Sequence, residues 1–355
     1  EIIKMTDVYK KLAQHLDNTP CGYPATESGV ELKILRQLFT EEEAEVAATL
    51  IMMPETPEAI AQRTNRAPEM LAPLLKEMAK KGLIMHSSKK GADFYMTAQF
   101  VIGIWEYQVN RLTEELIHDV NEYIPFLMKE QDKVKTRQLR VVPVSQAINA
   151  EMKVMNYEEA ENIIRAQSKI IIAPCICRTE HKMVGKGCDR LVEGCFVFGG
   201  GAYYYEERGI GRTVDHDEAI EILHKGIDQG LVLQPGNALK PMNICMCCGC
   251  CCQILSNIKK MDKPSTAVNS NYFAAVDEDA CTACGVCEER CPMDAITVDG
   301  VASVNKDRCI GCGLCVAACD FESMRLEGKD DQERWVPPAT VVDTYMAIAR
   351  EKGLM

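Results

Sequence analysis

The chain has 355 residues, 47% of them apolar, enough material for two or three domains with separate cores. Its 40 Lys and Arg against 52 Asp and Glu leave a formal net charge of −12, poorly suited to holding nucleic acid by bulk electrostatics and better suited to a basic face on a protein partner. The 19 Cys come in Cys-x-Cys, Cys-x-x-Cys and Cys-Cys runs; two residues apart is too close for ordinary disulfide geometry, and their odd number argues against a fully paired framework.

At the start, Glu1 to Lys11 is charged and lacks an apolar h-region, so no secretory leader is expected. No stretch approaches the roughly 18 apolar residues of a membrane span, and a cytoplasmic location is expected. Glu27 to Phe39 carries a helical stripe of Val30, Leu32, Ile34, Leu35 and Leu38. Thr40 and Glu43 form a capping box for a helix through Met52. Pro57 opens a short helix to Thr64, and Pro68 opens one to Lys81 that Gly82 ends. Leu83–His86 and Phe94–Met96 read as two strands around a turn. This order, helices followed by a hairpin, resembles a winged helix-turn-helix domain. A longer helix is expected from Ala98 to Val120, and a polar, basic linker from Lys129 to Arg140.

The middle region reads as α/β. Asn156-Tyr-Glu-Glu159 caps a helix, the strand Lys169–Ala173 follows, and then Cys175-Ile-Cys177. Asp215 caps a second helix to Asp228, and the strand Leu231–Leu233 precedes Cys245-Met-Cys247, so helix, strand and Cys-x-Cys occur twice. Phe198-Gly-Gly-Gly201 before Tyr203, Tyr204 and Tyr205 reads as a flexible loop. A polar linker, Lys259 to Ser270, leads to the strand Tyr272–Val276.

The last motif is the most specific. Cys281-x-x-Cys284-x-x-Cys287-x-x-x-Cys291-Pro292 is followed at one constant offset by Cys309-x-x-Cys312-x-x-Cys315-x-x-x-Cys319. Three Cys at intervals of three wrap one face of a cubane, whereas zinc ribbons separate their Cys-x-x-Cys pairs by longer loops. Gly285, Gly311 and Gly313 let the backbone close around inorganic sulfide. Ala295–Val298 and Val301–Val304 read as strands about the turn Asp299-Gly300. The spacing closely resembles the bacterial two-[4Fe-4S] ferredoxins. That resemblance implies crossed ligation, with Cys281, Cys284, Cys287 and Cys319 on one cluster and Cys309, Cys312, Cys315 and Cys291 on the other. Asp320 stands where the family often has Pro, and its carboxylate is expected to lower the potential of the cluster that Cys319 serves.

Ten more Cys lie between 175 and 252. Cys175, Cys177, Cys188, Cys195, Cys245, Cys247, Cys248 and Cys250 are the candidate metal ligands, for one or two further Fe–S clusters or for zinc. Cys251 and Cys252 read as small apolar residues on a following helix, and Cys21 stands apart. Arg178, beside Cys177, is placed to donate to a cluster sulfide, to bind an anion or to form a salt bridge. His181 and His216 read as surface residues. The Cys-x-Cys-Arg element with the later Cys-rich run resembles multi-cluster ferredoxin-like proteins of anaerobic bacteria.

The fold class read from these elements is α+β multidomain. Residues 1–128 form a helical winged-helix-like domain, 141–258 a cysteine-rich α/β domain, 271–328 a ferredoxin domain with two [4Fe-4S] clusters, and 329–355 a helical tail. The expected function is relay of low-potential electrons, as a subunit or docking partner of an oxidoreductase such as a flavoprotein. No catalytic residue set stands out, no membrane span is expected, and the reading allows a homodimer through the N-terminal domain. Two alternatives stay open: a redox-responsive transcription regulator, and a reductase with a substrate site at a middle cluster. For the first, residues 27 to 100 carry 9 basic against 11 acidic side chains, weak for phosphate contacts.

Overall fold

The computed structural model describes residues 7–148, 152 and 154–355. Of the charged start read from Glu1 to Lys11, residues 1–6 lie outside the described residues. The chain divides into two compact units, one of residues 1–134, 203–210 and 352–355 and one of residues 135–202 and 211–351.

The first unit is mainly helical. Helix α1 (Val8–Asp17) starts at Asp7, whose carboxylate accepts from the Tyr9 N–H, and α2 (Val30–Leu38) carries the apolar stripe. Helix α3 (Glu41–Ala47) has the Thr40–Glu43 capping box but ends short of Met52. Helices α4 (Pro57–Thr64) and α5 (Pro68–Lys80) each begin on a proline, whose fixed φ suits the first turn. Strands β1 (Ile84–Lys89) and β2 (Ala92–Thr97) form an antiparallel hairpin, Ile84 opposite Thr97. The expected helix from Ala98 to Val120 is displaced. Residues 100–108 run irregularly, Val101, Ile102 and Gly103 having non-helical dihedrals. The long helix α6 is instead Glu114–Gln131, begun by the Thr113 hydroxyl accepting from the Leu116 N–H. The apolar positions of 102–116 gave a helical period, but Thr113 offers the better N-cap.

The second unit is built on a five-stranded antiparallel sheet. Helix α7 (Ala160–Arg165) precedes β3 (Ile170–Pro174), then come α8 (Ile176–Met183) and β4 (Glu193–Phe198). Helix α9 (Gly199–Glu207) follows, so the Gly-Gly-Gly run is helical and not a flexible loop. Its end is held within the first unit, where the Tyr204 hydroxyl donates to the Ile84 carbonyl at 2.8 Å and the ring packs on Tyr107. Burying these tyrosines outweighs the low helix propensity of three glycines, about 1 kcal/mol each. Strand β5 (Arg212–Val214), helix α10 (His216–Asp228), β6 (Val232–Pro235) and β7 (Asn243–Cys247) complete the sheet in the order β5-β3-β4-β7-β6. The two Cys-x-Cys elements are therefore held differently. Cys175 caps α8 after β3, whereas Cys245 and Cys247 lie within β7.

Register fixes the faces. Ile170 lies opposite Phe198, Ile172 opposite Phe196, and Phe196 opposite Ile244. These side chains share one face and enter the core with Leu223 and Ile227 of α10. Each side chain of that size contributes about 1.5–3 kcal/mol on full burial. Cys195 lies opposite Cys245, so both point from the other face, and Cys247, two residues on, joins them.

After α11 (Gln253–Ile258) the stretch read as a linker is packed. The Arg308 guanidinium donates to the carbonyls of Lys259, Met261 and Met293 at 2.8–3.1 Å. Strand β8 (Tyr272–Val276) pairs with β11 (Met324–Gly328), and β9 (Ile296–Asp299) with β10 (Val301–Val304). Between the strands lie the short helices α12 (Val286–Arg290) and α13 (Leu314–Ala317). Gly311 has φ +69°, and a Cβ there would meet the Tyr272 carbonyl oxygen at 2.2 Å, so close packing as well as conformation requires glycine. Tyr272, Ile310, Leu314 and Leu326 share one core with Val144, Leu233 and Leu255. The sequence boundaries 141–258 and 271–328 thus fall inside one compact unit. Helix α14 (Val341–Glu351) ends on Glu351, which accepts from the N–H groups of Lys135 and Thr136 at 2.6 and 3.0 Å.

Candidate metal centres

Two thiol-lined chambers lie in the ferredoxin-like part. The inner one is lined by Cys291, Cys309, Cys312 and Cys315, with Met293, Ala295 and Ile310 around them. The outer one is lined by Cys281, Cys284, Cys287 and Cys319. Each chamber takes three thiols from one half of the motif and the last from the other half. The local reason is the tight three-Cys loop, which reaches its fourth corner only through the neighbouring half.

Backbone N–H groups point at these sulfurs. Ala295 donates to Cys291 Sγ at 3.2 Å, Ala274 to Cys309 Sγ at 3.3 Å and Ala302 to Cys281 Sγ at 3.4 Å. Burial pushes the Cys291, Cys312 and Cys315 thiols up, so they keep their protons unless a cation takes up the charge. Cys319 goes the other way. Its burial is outweighed by the Ser323 hydroxyl at 3.2 Å and by the backbone N–H groups of Met324 and Phe321. Four thiols lining one chamber, with backbone N–H groups donating to their sulfurs, fit a cubane with four thiolate ligands.

The ten middle cysteines separate into two groups. One has six thiols: Cys175, Cys177, Cys252, Cys247, Cys245 and Cys195, each in contact with the next. Neighbours along this line are shifted in opposite directions. Contact with Cys177 lowers Cys175, contacts with Cys195 and Cys247 lower Cys245, and contacts with Cys177 and Cys247 lower Cys252. Cys177 and Cys247 are correspondingly raised. Asn243 Nδ2 donates to Cys245 Sγ at 3.5 Å. Adjacent strands bring Cys195 and Cys245 together, and α8 and α11 bring in Cys177 and Cys252 from their first turns.

The second group has four thiols, Cys188, Cys248, Cys250 and Cys251, all within 4.8 Å of one another. The Cys251 N–H donates to Cys248 Sγ at 3.4 Å, the backbone closure that a Cys-x-x-Cys turn makes. Arg190 Nη1 lies 3.4 Å from Cys250 Sγ. Against the opposing effect of burial, Arg190 and the neighbouring thiols bring Cys188 down to about 7. Cys251 and Cys252, which the sequence reads as apolar residues, thus stand inside the thiol groups. The missed signal was their contiguity with Cys250: one turn can send successive thiols to two different sites.

Arg178 lies beside both groups with a relative exposure of 0%. Its Nη1 donates to the Met246 carbonyl at 2.8 Å, while Nε and Nη2 have no such partner. Although burial opposes its charge, Cys175, Cys247 and Cys248 hold its pKa up. A Cβ on Gly194 would fall 1.9 Å from Arg178 Nη2, so this glycine makes room for the guanidinium. Glu180, also at 0%, is paired with His181 at 2.6 Å. His216 contacts the Gln167 carbonyl at 2.9 Å, and Cys21 is buried in the first unit. None of these last residues joins a thiol group.

Gly249 connects the four-thiol group to the inner chamber. A Cβ there would meet the Pro292 carbonyl oxygen at 2.7 Å, so the Cys248–Cys250 turn lies against the residue after Cys291. Beside this contact an open cleft of about 430 Å³ is lined by Cys250, Cys291, Arg190, Lys259, Glu289 and Arg290 among others.

Residues 274–320 match the family model of the 4Fe-4S dicluster domain. No curated protein and no solved structure matches the chain. The chain therefore carries a ferredoxin-like Fe–S module, and its match and cysteines support [4Fe-4S] clusters. Among the described residues, no helix is long and apolar enough to cross a membrane.

Proposed function

We propose that this chain is an electron-transfer protein that relays low-potential electrons between a redox partner and a further cluster at the six-thiol group. Cys281, Cys284, Cys287 and Cys319 hold the outer [4Fe-4S] cluster, and Cys291, Cys309, Cys312 and Cys315 the inner one. Bound there, the clusters supply one-electron redox capacity, with about −400 mV a reasonable centre for this class. The observation that carries the reading is the pair of adjacent crossed thiol quartets, the outer at the surface and the inner against the middle cysteines. The six-thiol group is the site of a further cluster, with Cys175, Cys177, Cys195, Cys245, Cys247 and Cys252 as its available ligands.

The chain's own residues organise the two ends of this route. At the outer end Cys284 is exposed, and Val286 and Phe321 present apolar surface at 42% and 52% exposure. Beside these in sequence, Asp277, Glu278, Asp279, Glu288, Glu289, Asp320 and Glu322 are all exposed. Apolar surface with exposed carboxylates nearby in sequence suits a basic face of an oxidoreductase subunit or flavoprotein. At the inner end, Gly249 brings the four-thiol turn against Pro292. Anaerobic reduction tests the reading. Dithionite should bleach the visible absorbance with uptake of at least about two electrons per chain, one per ferredoxin-type cluster. An oxidised viologen should restore the absorbance fully. Uptake of no electrons, or irreversible bleaching under anaerobic conditions, counts against it.

The helices and hairpin of the first unit favour a second reading as a winged-helix regulator. Several of its basic side chains are occupied by carboxylates, Lys33 and Arg36 among them. Arg63 pairs with Glu55, Arg66 with Glu45 at 3.0 Å, and Lys81 with Glu43 at 2.7 Å. We therefore read this unit as a protein-docking or dimerisation module. A gel-shift titration at low salt is expected to give only weak binding, indifferent to sequence, and tight specific binding reverses the preference. A reductase would have the Arg190–Arg290 cleft as its substrate space. It would turn over a small anionic oxidant without any protein partner.

A further inference from the structure

Cys188, Cys248, Cys250 and Cys251 differ from the other thiol groups in compactness. All four sulfurs lie within 4.8 Å of one another, Cys188 and Cys248 at 4.0 Å and Cys250 and Cys251 at 3.8 Å. Four thiolates at about 2.3 Å from one tetrahedral ion stand about 3.8 Å apart. The thiolates of a cubane end on four different irons, with inorganic sulfide between them, and so stand wider. The ferredoxin-type quartets have that wider arrangement: among the described residues, no three of their thiols come within 4.8 Å of one another.

We propose that Cys188, Cys248, Cys250 and Cys251 hold a single tetrahedral metal ion with no inorganic sulfide. A tetrahedron of thiolates takes zinc or iron, and the site chemistry is shared between the two. Binding displaces the thiol protons and involves no electron transfer. Four thiolates around a divalent ion leave a doubly negative centre, and two guanidinium groups flank it. Arg190 Nη1 lies 3.4 Å from Cys250 Sγ, and the fully buried Arg178 sits beside Cys248 with Nε and Nη2 otherwise unpartnered. The ion fastens the Cys248–Cys251 turn to the loop carrying Cys188. It thereby fixes Gly249 against Pro292, beside the inner chamber.

Metal and acid-labile sulfide per chain, measured on the full protein purified anaerobically, test this. Cubanes contain iron and sulfide in equal number, so the wild type should carry about one metal atom, zinc or iron, unmatched by sulfide. Cys250→Ser, which alters the exposed thiol of the four, and Cys188→Ser should each lose that one atom and no sulfide. Joint loss of about four iron and four sulfide would mean a cubane here and would overturn the proposal. So would a wild type whose iron equals its sulfide and which holds no zinc, a result that needs no variant to fold. Total sulfide reports on the electron-transfer reading and the unmatched metal on this site, so the two can fail separately.

Discussion

Cys319→Ala lowers the iron content by about four atoms per chain and leaves the cluster of the half in which Cys319 itself lies. The thiols it would strip are Cys281, Cys284 and Cys287, with which Cys319 lines the outer chamber. Cys291→Ala does the converse and removes the cluster of Cys309, Cys312 and Cys315, with which it lines the inner chamber. If each half instead kept its own four ligands, the two variants would lose the opposite clusters. Spectra of the reduced variants, combined with the three-Cys variants of each half, separate the cases. The two losses also differ in stability. Cys312 and Cys315 are buried, and Met293, Ala295 and Ile310 around the inner chamber belong to the main core of the unit. Emptying that chamber leaves a core cavity, which costs roughly 24 cal/mol per Å³ of residual void. The outer chamber opens to the surface at Cys284, so its loss is better tolerated. Anaerobic thermal unfolding should therefore show the larger drop in midpoint for Cys291→Ala.

Arg178→Met destabilises the fold by about 3–5 kcal/mol, the cost of removing one partner from a buried ionic cluster. The guanidinium is fully buried, donates to the Met246 carbonyl and faces thiols of both middle groups. Methionine fills the volume but leaves the thiolates without a counter-ion and the carbonyl without a donor. Arg178→Lys is also damaging, because an ammonium is a point charge and does not reproduce the planar fork. Gly194→Ala acts on the same contact, since its Cβ would fall 1.9 Å from Nη2. The double variant should therefore lose much less than the sum of the two single changes. Additive losses in anaerobic denaturant titration would show that the two residues act separately.

How much of this was legible in sequence depends on the range of the interaction. The ferredoxin spacing is local, and with it the two chambers, the β9–β10 hairpin and the glycines before α12 and α13 could be read. Helices with a strong start were also legible, such as α3 behind Thr40 and α10 behind Asp215. The division of the middle cysteines was not. It rests on an antiparallel register that puts Cys195 opposite Cys245, and on a turn that sends Cys250 and Cys251 to one group and Cys252 to the other. Nothing within a few residues of these cysteines encodes that choice. The Gly-Gly-Gly run failed for a related reason: Tyr204 and Tyr205 find their partner in Tyr107, far back in the chain. The helix expected at Ala98–Val120 failed because apolar period alone does not place a start.

The most direct test of the central claim is low-temperature electron paramagnetic resonance of the fully reduced, anaerobically purified chain. Two neighbouring cubanes should give a spectrum broadened by spin–spin interaction, integrating to at least about two spins per chain. Cys319→Ala should leave the remaining ferredoxin-type signal free of that interaction. A wild-type spectrum with one unbroadened signal, or none, would contradict the account.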